Sequence, residues 1–270
     1  MTAVLGRGEA VAAPRRGVRS LLEPSRLVGA ASILAGVLVW ELYARSLENN
    51  IFIPTFSQAM VALVGLVQTA DFWDAYRQTL VPFVYGWLGS LTVGVVVGLI
   101  VGISPTLRSL TAPYVAFFNA LPVSVLVPVV VVAMGIGILA RGSVVFLFGV
   151  FQVLLSTSAG VRYIGDDVRE MARSFGMGRL RQFRRIILPG AMPGIMAGIR
   201  IGTGRAVVGM VVMELLLVTV GVGRLVSRYR ATFAAPELYA VVFSLAVFGY
   251  VALAVMRRLE TNALRWRGDE

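Results

Sequence analysis

Six long apolar runs, separated by short polar segments, set the pattern of this chain. A hydrocarbon core about 30 Å thick needs about 20 apolar residues in helix. The runs at residues 27–44, 79–103, 110–134, 142–160, 190–220 and 237–256 meet that length and predict six transmembrane helices. After the first run, Ile53-Pro54-Thr55 breaks the chain. Residues 57–69 then read as a short apolar helix with Ser57 as its cap, too short to span and expected along the outer interface.

Composition agrees with this pattern. Of 270 residues, 57% are hydrophobic and 14% charged, and the mean hydropathy is +0.82. A soluble domain carries about 25% charged residues. Too few charges are present to coat a water-facing surface. That excludes a soluble enzyme, a disordered chain and a disulfide scaffold. The net charge of +11 could suggest nucleic acid, but most of the charge lies between the apolar runs. Basic cytoplasmic loops of a membrane protein account for both facts, with lipid rather than nucleic acid as the partner.

The position of the arginines gives an orientation. With the N-terminus inside, 17 arginines fall in inner segments and six in outer ones, namely Arg45, Arg77, Arg141, Arg224, Arg228 and Arg230. The excess predicts N-in and C-in, as an even number of spans requires. Residues 1–25 read as a basic, disordered cytoplasmic tail rather than a cleaved signal peptide, and 261–270 as a second cytoplasmic tail. Residues 26–260 form the transmembrane domain.

The chain has no Cys, no His and no Lys. Thiol and imidazole catalysis, the usual zinc ligands and a P-loop lysine are therefore excluded. No catalytic, metal or cofactor-binding residue is expected.

Two stripes of small residues predict close helix contacts: Gly94, Gly98 and Gly102 in the second run, Gly194, Gly198 and Gly202 in the fifth. Pro122 and Pro128 in the third run predict kinks, such as can line a path. Arg200 lies about 15 Å into the fifth helix and Arg205 about 22 Å. A charge at that depth faces a cavity or a partner. Arg200 is either bound to a neighbouring helix or part of the path. Arg200 and Glu214 share a face, but about 21 Å separates them, so they cannot pair within one helix.

The most informative stretch is the segment 163–189, expected in the cytoplasm. Asp167 is expected to cap a short helix with Glu170 in a capping box. Val168, Met171, Ala172 and Phe175 form one apolar stripe, and Gly176 suits a left-handed helix end. A second helix of about 179–188 carries four arginines, and Pro189 opens the fifth span. The stripe needs cover from the protein's own helices, from a partner's groove or from the lipid interface.

Glu170-x-Ala172-x3-Gly176-x9-Ile186-x-Leu188-Pro189 resembles the EAA motif of binding-protein-dependent ATP-binding-cassette importer permeases. Met171 stands where the motif has a second Ala, which preserves the stripe. The likeness covers most of the chain and is strongest to sulfonate, taurine and nitrate-type permeases. Ile53-Pro54-Thr55, Leu121-Pro122, Met134-Gly135-Ile136-Gly137 and the stretch from Ala197 to Glu214 support it.

The resemblance implies an all-α, type I importer permease that works as a homodimer with a path between the subunits. Two copies of a separate ATPase, which holds ATP and Mg, would dock on Asp167, Val168, Glu170, Met171, Ala172, Phe175, Gly176, Ile186, Leu188 and Pro189. An extracytoplasmic binding protein would deliver a small, anionic solute, and the location would be the bacterial inner membrane. Arg200, Pro122 and Pro128 are candidates for the path. A secondary transporter or a lipid-transport permease subunit is the alternative. The first would need an internal repeat and mid-depth acids, which this sequence lacks.

Overall fold

The computed structural model describes residues 24–47, 51–217 and 220–264, so most of both predicted tails lies outside the described residues. These residues form α1 (Pro24–Ser46), α2 (Phe56–Val67), α3 (Ala70–Ile103), α4 (Pro105–Ala120), α5 (Val123–Met134), α6 (Ile138–Arg162), α7 (Asp166–Ser174), α8 (Arg179–Gln182), α9 (Leu188–Leu217), α10 (Gly221–Ala231) and α11 (Ala235–Leu264). No strand occurs among the described residues.

The chain divides into two compact units, residues 1–57 and 58–270. In the first, α1 covers the predicted first span. The Trp40 indole donates to the Pro54 carbonyl at 3.1 Å, and Glu41 accepts from the Ser57 amide and hydroxyl at 3.1 and 2.9 Å. Ser57 is thus not the cap of the short helix. That helix begins one residue earlier, at Phe56.

In the second unit four helices are long and apolar enough to cross a membrane: Ala70–Ile103, Ile138–Arg162, Arg179–Leu216 and Ala235–Leu264. The pair α4–α5 qualifies only as one broken span, bent by 94°. The predicted run 110–134 is thus two helices, and the kink expected at Pro122 is a full break. Pro122 has no N–H to continue α4, and it holds Leu121 in the extended region, at φ −67° and ψ 134°. Pro128 lies inside α5. α3 starts nine residues before the predicted 79, because Thr69 caps it by accepting from the Phe72 amide.

α6 is the axis of the bundle, flanked by α3 and α9. Both glycine stripes face it. A Cβ on Gly94, Gly98 or Gly102 would meet the Cβ of Val153, Thr157 or Val161 at 2.6, 2.7 and 2.7 Å. On the other flank, a Cβ at Gly194 would sit 2.5 Å from the Gly160 Cα. With lipid as solvent no hydrophobic force drives helices together, so close backbone packing must do it. Outward-facing Val132, Leu139 and Val251 are exposed, as suits a chain surrounded by hydrocarbon.

Candidate functional site

The segment 163–189 forms a short helix, a sharp turn and a re-entry into α9. α7 starts at Asp166, preceded by Gly165 at φ +68°, and no side chain caps it. The capping box expected of Asp167 and Glu170 is absent. Both residues lie inside the helix. Asp166 and Asp167 instead place negative charge on the first turn, where the helix dipole favours it. The Glu170 carboxylate is exposed and engages no partner among the described residues.

The turn after α7 is closed by two backbone bonds. The Met177 amide donates to the Ala172 carbonyl at 3.0 Å, and Gly176 to Arg173 at 2.8 Å. This is the Schellman arrangement, which needs a left-handed residue between its ends. Gly176, at φ +69°, supplies it.

Two residues that sequence reasoning did not single out hold α7 in place. The Arg169 guanidinium donates to the Val161 carbonyl at the end of α6, at 2.9 Å. The buried Gln182 amide donates to the Arg169 carbonyl at 3.1 Å. An arginine within a charged segment gives no pattern that distinguishes such a strut from a solvated side chain.

The expected second helix is not a separate element. α8 passes through a single π-helical turn, Phe183–Ile187, directly into α9. The Leu188 amide reaches back to the Phe183 carbonyl. Pro189 has no N–H and would crowd the Arg185 carbonyl in a regular helix, so the wider turn relaxes the register just before it. Pro189 thus lies within a continuous 38-residue helical path rather than at a helix start. Ile187 is buried with Val161, Ala191 and Ile195, and Phe183, Ile164 and Leu188 pack against them. Ile186 is half-buried.

The stripe on α7 is uncovered. Ala172 is buried, but Val168, Met171 and Phe175 are 42%, 58% and 81% exposed, and neighbouring Leu180 is 65% exposed.

A buried polar cluster occupies the opposite end of the bundle. Glu214 accepts from the Gly223 amide at 2.8 Å, at the start of α10. Its other oxygen lies 3.9 Å from the Arg141 guanidinium, which donates to the Gln78 carbonyl at 2.9 Å. The Thr79 hydroxyl accepts from the Val222 amide at 2.9 Å. A Cβ at Gly223 would collide with the Glu214 main chain, so glycine is required there.

Arg224 and Arg228 both grip Asp71, at 2.6 and 2.7 Å, and hold its carboxylate to α10, while Arg230 is exposed. These pairs are partly exposed, so each contributes little after solvent screening. Asp71→Asn should lower stability by about 1 kcal/mol or less, read as the thermal midpoint of the purified protein.

Of the predicted path residues, Arg200 lies against α11, its Nε 3.0 Å from a Glu260 oxygen though not aligned as a hydrogen bond. Pro122 borders a cavity of about 370 Å³ between α4, α5, α6 and α9, and Pro128 does not line it. Arg205, about 140° around the helix from Arg200, lines this cavity.

A bundle of long apolar helices with a short helix–turn–helix between two of them defines a polytopic membrane-protein fold. The family of binding-protein-dependent transport system inner membrane components matches residues 92–265, and the chain belongs to it. The chain is similar to the taurine transport system permease protein TauC of Escherichia coli K12, 26% identical over 90% of both chains. It is also similar to the bicarbonate transport system permease protein CmpB of Synechococcus elongatus, 25% identical over 82% of this chain and 84% of that one. A chain of the methionine transporter MetNI in an inward-facing conformation shares the fold, with a TM-score of 0.54 and 18% identity. It is covered over 93% of its length by 71% of this chain. The protein is accordingly the permease subunit of an ATP-binding-cassette importer, a multi-pass inner-membrane protein that itself catalyses nothing. Hydrolysis of ATP belongs to a separate subunit, and a binding protein works with the complex.

Proposed function

We propose that the permease works as a homodimer of six-span subunits, N-in and C-in, around a path for a small anionic solute. Segment 163–189 is the docking element for the ATPase. The observation that carries this reading is the uncovered apolar stripe Val168, Met171 and Phe175, held out by a glycine-closed turn. An apolar face of that kind suits a groove on a partner. The direct continuation of α8 into α9 gives docking a mechanical route into the bundle, with Ile186, Leu188 and Pro189 at the joint. The names of relatives, which specify taurine and bicarbonate, support an anionic or zwitterionic solute. Pro122 shapes the path at the cavity, Pro128 shapes α5 behind it, and Arg200 joins the path only in a state where its pair with Glu260 opens.

Two substitutions test the docking element by co-purification with the ATPase. Gly176→Val forces a β-branched residue into a left-handed position, and assembly should be lost. Glu170→Ala removes a carboxylate with no partner among the described residues. It should leave the permease as stable as before while weakening ATPase binding about tenfold or more, as loss of a charge-assisted contact does. Normal assembly of both variants would contradict the docking role.

A further inference from the structure

The cavity beside the α4–α5 break contains a charged group that no partner neutralises among the described residues. Arg205 projects from α9 about 26 Å from Leu188 and about 18 Å from Leu217 along the helix axis, deep within the span. Its guanidinium is exposed to the cavity, and no hydrogen bond or ion pair engages it among the described residues. The other deep arginines differ: Arg141 faces Glu214 and Arg200 faces Glu260. A free cation at this depth belongs beside water or a ligand, not lipid tails.

The rest of the lining has matching chemistry. The Gln152 amide donates to the Asn119 carbonyl oxygen at 3.0 Å. That bond uses the acceptor of Asn119 and leaves its amide hydrogens free. Ser124 adds a hydroxyl, and Val123 and Ser124 form the first turn of α5, where helix amides lack intrahelical acceptors. No acidic residue lines the cavity. Phe118 and Phe151 stack at 5.5 Å to give one apolar wall. The space suits a charged head of a few atoms with a short carbon tail.

We propose that this cavity is an anion station on the path, with Arg205 as its charge and Asn119 and Ser124 as neutral donors, taking a small sulfonate or carboxylate. The proposal rests on the permease reading above and names the side chains that would select for its solute. Arg205 contacts the anion directly and, carrying a fixed charge, keeps cations out.

The chain has no cysteine, so a single reporter thiol needs no background substitutions. Val208, on α9, lines the cavity and is 48% exposed. In native membrane vesicles, Val208→Cys is labelled with anionic sulfonatoethyl or cationic trimethylammonioethyl methanethiosulfonate. The anionic reagent should react roughly tenfold faster, as a nearby fixed cation in a weakly screened site predicts. Adding Arg205→Gln should abolish that preference, and Arg205→Lys should retain it. Adding Arg200→Gln should also retain it, because that arginine is already paired. Millimolar ethanesulfonate should slow anionic labelling only where residue 205 is cationic. Equal rates for both reagents, an unchanged ratio with Arg205→Gln, or no labelling at all would each overturn the anion station. The labelling does not require the ATPase, so failure of the docking element in the co-purification experiment would be seen separately.

Discussion

Glu214→Ala is expected to cost about 3–5 kcal/mol, the usual penalty for stranding one member of a buried ion pair. Glu214 is 4% exposed, and its partner side chain on Arg141 is 9% exposed. Removing the carboxylate leaves the Arg141 cation buried and the Gly223 amide without an acceptor. For a chain of this size the thermal midpoint should fall by about 10 °C or more. Arg141→Met with Glu214→Ala removes both charges and should recover most of the loss. A residue of about 1 kcal/mol should remain, because α10 still lacks the acceptor at its start. A double variant no better than Glu214→Ala would assign the whole effect to that backbone cap rather than to the pair.

The legibility of the fold follows from which forces are local. Length and hydropathy mark the cores of the long helices, because a bilayer demands a run of fixed length whatever lies around it. The start of α3 depends on the Thr69 cap and is hidden by the polar Asp71, Asp74, Arg77 and Gln78, while the break at Leu121-Pro122 depends on a single missing N–H, with apolar content on both sides. A hydropathy reading therefore starts α3 late and runs 110–134 as one span, and only the proline at 122 marks where that span breaks. The turn at Gly176 is readable because a positive φ selects glycine. The start of α7 is not, since Asp166 and Asp167 suit a cap and a first turn equally well, and only Gly165 at φ +68° decides. The charges show the same limit. Arg200 and Glu214 stand out in an apolar span, but Glu260 and Arg141, their partners, come from helices far along the chain. Arg205 matters because it has no such partner among the described residues, and an absence of contacts has no sequence signal.

The second large effect is expected at the contact between α6 and α9. In Gly194→Ala the new methyl would lie 2.5 Å from the Gly160 Cα and 2.9 Å from the Ser156 carbonyl oxygen. Both are backbone atoms, so no rotamer change makes room and the two helices must separate. Overpacking of this kind costs about 1–3 kcal/mol where side chains can shift, and a backbone contact belongs at or above the top of that range. Separation also breaks the link between α9 and the central helix, through which movement of segment 163–189 would reach the cavity. Gly204→Ala on the same helix is the control. Its methyl would meet only the Leu253 Cδ2, at 3.4 Å, an ordinary contact with a flexible tip. Helix propensity favours alanine over glycine by about 1 kcal/mol, so that variant should be neutral or slightly stabilised. The two variants therefore share a helix and a substitution and differ in what faces the methyl. Gly194→Ala should lose solute uptake and drop the thermal midpoint by several degrees, while Gly204→Ala should retain both. Equal behaviour of the two would show that the α6–α9 spacing is free to adjust, and that the glycine stripe does not set it.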